Sequence, residues 1–326
     1  MSPLFPPTGK INPTVEMEVA HNFLESQCCP VCGGNDAKQL FSITHRLSNV
    51  LELLNIKAKE SETVTHIVKC NNCPHYYMTP VIKEALMSHY YSIITSEFYH
   101  NNPSAPGNYN HKEYKAYSKT IESKIRTGKI LEIGCGNGYL LQTLKEKGFD
   151  CYGIEPSPLA YNYARNILNL NVENKFLHQS SFYNESFDVI IMIDVAEHIS
   201  DMHTFMKEIT KVLKPGGYIF IGTGNIDSFN AKLAGADWGY FRSWEHVSFF
   251  NPSSLALLLN RFNFEYIAIK KTNLQHYPLQ NITELGKNFI KKIVNPFLSN
   301  RYYHGICFDH LIAMAQYKTD KKEYDK

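Results

Sequence analysis

The chain is 326 residues long and 44% hydrophobic, enough for one large core and a small accessory domain. Its 33 basic and 31 acidic side chains leave a formal charge of +2, without the basic excess of a domain that lives on phosphate contacts, although a local patch would be hidden in so balanced a total. The start, MSPLFPPTGKINP, lacks the charged-then-apolar plan of a signal peptide, and no apolar run approaches the roughly 18 residues of a membrane span. A cytoplasmic protein is expected, its eight cysteines serving as thiols or metal ligands instead of disulfides.

Residues 1–27 carry four prolines and little periodicity and read as a flexible arm. Residues 28–80 read as a separate small unit holding five of the eight cysteines. It opens with CCPVCGG and closes with CNNCPHYYMTP, and VTHIVK reads as a strand leading into the second cysteine pair. Cys29-x-x-Cys32 and Cys70-x-x-Cys73 are two knuckles of the kind that grip tetrahedral zinc, because a two-residue spacer lets both sulfurs converge about 2.3 Å from one ion. Four thiolates close the coordination sphere, so such a zinc would be structural. Cys28 is the bystander in this scheme. Pro74 stands where a ribbon usually has glycine, His75 could compete as a ligand, and reduced core cysteines or a metal-free relic ribbon are the plainer alternatives.

A tyrosine-rich connector, 81–109, leads to a helix expected at about 110–127. Strands follow near 129–133, 150–155, 187–193, 217–223, 264–272 and 309–318, alternating with helices, which predicts a doubly wound, parallel, Rossmann-like α/β sheet. Residues 276–306 read as an insertion before the last strand; Lys287, Lys291 and Lys292 there fit a solvated helix face better than a membrane surface. The first strand runs through Glu132 into glycines at 134, 136 and 138 and then a helix, the geometry of a nucleotide-type pocket. The pattern G-x-G-x-G is not the G-x-G-x-x-G of a dinucleotide site, because Tyr139 follows where the spacing would continue. Glu155, 21 residues after Gly134, ends the second strand, where a carboxylate can accept both hydroxyls of a ribose.

LEIGCGNG, GIEPS, FDVIIMIDVAEHI (187–199) and LKPGGYIFIGT (213–223) follow one another as do the cofactor motifs of class I S-adenosylmethionine (SAM)-dependent methyltransferases, which the chain resembles over residues 110–326. The resemblance implies a seven-stranded sheet, SAM as cofactor, and Glu132, Gly134, Gly136, Gly138, Glu155 and Asp194 as its binding residues. With its N-terminal ribbon the whole chain resembles bacterial enzymes that methylate sugars, glycolipids or other specialised metabolites. The stretch 237–265 is similar to the acceptor-side segment of the ubiquinone-biosynthesis O-methyltransferases.

Methyl transfer needs a nucleophile placed in line with the S–CH3 bond, and a hydroxyl acceptor must also lose a proton. Asp194, Glu197 and His198 fall at i, i+3 and i+4 where the fourth strand enters a short helix, so they can share one face, and His246 comes from a later loop. These give the catalytic candidates His246, His198 and Asp194. The layout also resembles small-RNA 2'-O-methyltransferases, which hold a divalent ion with such residues, so magnesium or manganese is a further possible cofactor; the plain alternative is that Glu197 and His198 only close the turn. Trp238, Tyr240, Phe241 and Trp244 read either as an aromatic acceptor pocket or in part as core. The reading is SAM-dependent O-methylation of a saccharide, glycolipid or other small or carrier-linked metabolite. The alternatives are an RNA or protein methyltransferase that grips its substrate with the ribbon, and a non-catalytic SAM-binding protein, against which the intact Glu132, Gly136 and Glu155 set argues. No strong nucleic-acid signal or transmembrane segment is present, and oligomeric state is not encoded in any recognisable motif.

Overall fold

The computed structural model describes residues 23–54, 62–93, 111–272 and 310–318. The insertion expected at 276–306, most of the N-terminal arm and the later part of the connector lie outside these residues. In chain order the strands are β1 (Leu24–Glu25), β2 (Ala37–Arg46), β3 (Glu62–Cys70), β4 (Tyr76–Thr79), β5 (Val81–Ile82), β6 (Lys129–Ile133), β7 (Asp150–Ile154), β8 (Asn171–Glu173), β9 (Phe187–Ile193), β10 (Leu213–Gly224), β11 (Ser248–Phe249), β12 (Phe264–Thr272) and β13 (His310–Tyr317).

Seven of them form one sheet in the order β12-β13-β10-β9-β6-β7-β8. The central runs KILEI, FDVIIMI and YIFIG are apolar on both faces, as strands covered by helices must be: Ile190, Ile191 and Met192 are all fully buried. One buried cluster lies on each face, with Ile190, Met206, Ile209 and Leu258 on one and Leu141, Val189, Ile191 and Phe220 on the other. The sheet departs from the all-parallel expectation at β13, which runs antiparallel to both β10 and β12. The cause is where the chain re-enters. It leaves at Thr272 and returns directly opposite at His310, so the returning strand must run backwards. His310 is thereby delivered to the end of the sheet where the parallel strands terminate, beside Gly224. The short β8 (NVE) is too brief for a periodic signal.

The N-terminal half forms a second sheet in the order β11-β4-β3-β2. Its outermost strand, β11, comes from residue 248, long after the rest, so this sheet is completed by the later part of the chain. The arm ends in β1, whose Leu24 and Glu25 pair with Ile82 and Val81. The two halves share a core: Cys29, Val31, Val68, Cys70 and Tyr77 belong to the same buried cluster as Ile190 and Phe250. A second cluster packs Ile67, Met78 and Val81 against Trp238, Tyr240, Phe241 and Phe249. The helix Pro252–Arg261 starts on a capping box, with the Asn251 side chain accepting from Ser254 N–H and Ser254 Oγ accepting from Asn251 N–H. The same Asn251 donates through Nδ2 to the carbonyl of Pro74, tying the second cysteine knuckle to the large sheet.

Candidate active site

The cofactor end is built by backbone. All three loop glycines have positive φ, but they differ in what a side chain would meet. A Cβ on Gly138 would stand 2.5 Å from Leu170 Cδ1, and one on Gly134 would stand 2.6 Å from Val195 Cγ2, so both let the loop pack against its own fold. Gly136 (φ +52°) would meet nothing within 4 Å: it faces open space, as the cradle of a ligand should. Glu155 closes this loop from the next strand, Oε2 accepting from Gly136 N–H and Oε1 from Ser157 N–H, each at 2.8 Å. Each carboxylate oxygen keeps a further lone pair for a hydroxyl. Burial pushes the Glu155 carboxyl up to about 7, against the pull of those two N–H groups. Glu132 beneath it is buried with Oε2 unpartnered, and burial followed by the neighbouring Glu155 raises it well above the usual carboxylate range. An open cradle, a carboxylate with spare acceptor capacity and an orphaned buried oxygen fit a ribose-bearing ligand.

The acceptor end is assembled from distant segments. Asp194 follows β9 with φ +53°, and its Oδ1 stands 3.5 Å from Nε2 of the buried His310. Burial raises the Asp194 carboxyl, but the pull of His310, then of His246 and His198, outweighs it and leaves it below its ordinary value. Residues Ala196–His198 form a 3₁₀ turn, so Asp194, Glu197 and His198 do not share the one helical face expected of them. Asp194 faces His310 instead. Glu197 points inward and is fully buried: Thr223 Oγ1 donates to its Oε2 at 2.8 Å, and the Tyr240 hydroxyl donates to its Oε1.

His198 and His246 face each other with ring centroids 4.8 Å apart, and one ligating atom from each of Glu197, His198 and His246 lies within 4.8 Å of the others. Burial lowers both imidazoles to about 4, so both are neutral near pH 7. His246 Nδ1 lies 2.9 Å from the Tyr240 carbonyl, which can only accept, so Nδ1 carries the proton and Nε2 is a free base. His198 Nδ1 lies 3.0 Å from the Tyr91 hydroxyl. Two neutral nitrogens beside a buried carboxylate can take a proton or ligate an ion.

Residues 109–269 match the model of the methyltransferase domain family. This part of the chain is a SAM-dependent methyltransferase domain. Ubiquinone biosynthesis O-methyltransferases are among its relatives: that of Aliivibrio fischeri is 27% identical over 172 residues, 49% of this chain and 73% of the relative. That of Coxiella burnetii is 26% identical over 183 residues, covering 52% and 77%. A solved SAM-dependent methyltransferase of Thermotoga maritima, a possible histamine N-methyltransferase, aligns over 63% of this chain and 89% of its own, with 22% identity and a TM-score of 0.45. Among the described residues no helix is long and apolar enough to cross a membrane.

Away from the histidine cluster, the chain brings Cys29, Cys32, Cys70 and Cys73 together, their sulfurs within 4.8 Å of one another. The Cys29–Cys73 and Cys32–Cys70 separations are 3.5 Å, close to the about 3.8 Å between thiolates on a tetrahedral zinc. Burial pushes the Cys73 thiol up to about 12 and Cys29 higher still, so without a cation these groups hold their protons. His75 is not among the clustered ligand atoms: it is buried with Nε2 2.9 Å from Ser248 Oγ. Cys28 stays exposed.

The aromatic residues settle mostly into core. Trp238, Tyr240 and Phe241 are buried against the N-terminal sheet, and Trp244 packs edge-on to Tyr90. Their extent of burial follows from the second sheet, which needs an apolar lid over Ile67 and Met78. Tyr91, Glu245 and His310 touch the candidate residues His198 and Asp194 and were not singled out in the sequence. For His310 there was one usable signal, a histidine opening an otherwise apolar strand, HLIAMAQY.

Proposed function

We propose that the protein transfers the SAM methyl to a hydroxyl of a small or carrier-linked metabolite, with saccharides and glycolipids as the first acceptors to test. The observation that carries the reading is the pair His198 and His246, neutral and facing each other beside the methyl-side strand end that bears Asp194. Glu155 and the Gly136 N–H would hold the ribose end, and bound SAM supplies an electrophilic methyl. The chain's own task at the acceptor end is then to orient a hydroxyl and remove its proton, for which His246 Nε2 is the available base. Glu197, held by Thr223 and Tyr240, favours the His246 imidazolium that forms. The O-methyltransferase names of the relatives support oxygen as the methylated atom. The test is methyl-labelled SAM offered with sugar, glycolipid and phenol acceptors: label on an acceptor oxygen supports the reading, whereas label appearing only in RNA or protein favours the macromolecular alternative.

Two metal assignments accompany this reading. The four-thiolate cluster takes one structural zinc per chain, supported by its sulfur spacing; elemental analysis tests it. A divalent ion at Glu197, His198 and His246 is a second reading of the transfer chemistry, favoured by the clustering of their ligating atoms. It would act as a Lewis acid toward the acceptor oxygen. Two imidazoles suit manganese better than magnesium, which prefers an all-oxygen set. In that case chelation abolishes turnover and manganese restores it; turnover indifferent to chelators removes the ion and leaves His246 as base.

A further inference from the structure

The helix Glu84–Ile93 belongs to the N-terminal half, yet it enters the transfer site. Its Tyr91 hydroxyl stands 3.0 Å from His198 Nδ1 and donates to Glu245 Oε2 at 3.3 Å. The adjacent Tyr90 hydroxyl donates to the other oxygen, Oε1, also at 3.3 Å. Both Glu245 oxygens thus act as acceptors, and the carboxylate is only 8% exposed. Glu245 itself lies 4.0 Å from His198 Nδ1, too far for a direct hydrogen bond, so the tyrosine hydroxyl bridges them.

This arrangement ties down a ring. The Tyr91 hydroxyl has one hydrogen and stands within hydrogen-bond distance of both His198 Nδ1 and Glu245 Oε2, the contact to His198 being the shorter. The His198 ring, tied at Nδ1 to Tyr91 and hydrogen-bonded to the Glu245 backbone, is thereby held in one tautomer. The ring is held as well as the tautomer: Tyr91 meets it edge-on at 6.2 Å between centroids, with Tyr90 wedged between Tyr91 and Trp244. A second tie from the same half reaches the same loop, where Met78 N–H donates to the Val247 carbonyl and Val247 N–H to that of Glu197.

We infer that Tyr91, held by Glu245, is a positioning residue of the methyl-transfer site, fixing the ring and the tautomer of His198 against His246, so that the cysteine-bearing N-terminal half is part of the active centre. The inference rests on the reading of His198 as a transfer-site residue. It is tested on the full chain labelled with ¹⁵N-histidine and saturated with S-adenosylhomocysteine, reading the ring nitrogens of His198 by NMR, with His198→Ala giving the assignment. Wild type shows a single His198 tautomer. Tyr91→Phe, which keeps the ring and removes only the hydroxyl, mixes the tautomers, and the Tyr91→Phe/Glu245→Gln double variant does the same, both with S-adenosylhomocysteine affinity unchanged. Their turnover falls about 10- to 100-fold at unchanged KM, the size usual for groups that orient an active-site histidine. His198 signals identical to wild type in both variants overturn the inference and leave the O-methylation reading standing. A Tyr91-dependent tautomer combined with wild-type methyl transfer in His198→Ala overturns that reading instead.

Discussion

The two ends of the proposed active site are built by different means. The cofactor end comes from two short contiguous stretches, LEIGCGNG and GIEPS, in which one glycine faces open space and one carboxylate ties the loop down. The acceptor end draws Tyr91, Asp194, Glu197, His198, Glu245, His246 and His310 from four separate parts of the chain, and none of them is placed by its immediate neighbours alone. Local backbone geometry makes the first end general to any acceptor. Tertiary assembly makes the second end specific to this chain, because its side chains are held by a sheet that the N-terminal half begins and β11 completes.

That contrast can be broken most forcefully by dismantling the N-terminal half. Cys70→Ser or zinc removal should cost several kcal/mol of stability, because metal binding in such sites is folding energy, and should abolish turnover while leaving S-adenosylhomocysteine bound within a few-fold. Thermal melts with calorimetry on the same sample check it; equal loss of cofactor affinity would mean that the two ends are one cooperative unit. At the cofactor end, Glu155→Ala should weaken S-adenosylhomocysteine by about 1.5–3 kcal/mol, the worth of hydrogen bonds to a charged group, with the acceptor histidines' tautomers unmoved. The smallest effect is one of pH. Because burial raises the Glu155 carboxyl to about 7 in the free protein and a ribose favours its ionised form, affinity should rise about tenfold between pH 6 and 8. The sign is set by the proton: below that value a proton must be expelled before the hydroxyls can be accepted. Glu155→Gln should flatten the profile, and titration calorimetry at three pH values reads it.

The same contrast governs what could be read from sequence. The glycine loop, Glu155 and the central strands were legible because each rests on spacing within a few residues. The two cysteine knuckles were legible for the same reason, since C-x-x-C carries its geometry locally. Asp194, Glu197 and His198 read as sharing one helical face, but the positive φ at Asp194 and the 3₁₀ turn after it send the three side chains to His310, Tyr240 and His246 respectively. Tyr91 and Glu245 were invisible, because a hydroxyl 107 residues upstream of the histidine it serves leaves no periodic trace. The reversed β13 escaped for a related reason. Its direction depends on where the chain re-enters the sheet, which no run of apolar residues records.

The central claim is that the histidine pair at the acceptor end moves the proton while the glycine loop and Glu155 hold the cofactor. It is tested most directly by comparing methyl transfer and S-adenosylhomocysteine affinity in wild type and His246→Ala, on whichever hydroxyl acceptor takes label. The account predicts kcat lowered by about 10² to 10⁴ with cofactor affinity within two-fold of wild type. Wild-type turnover in both His246→Ala and His198→Ala would contradict it and reduce catalysis to positioning alone.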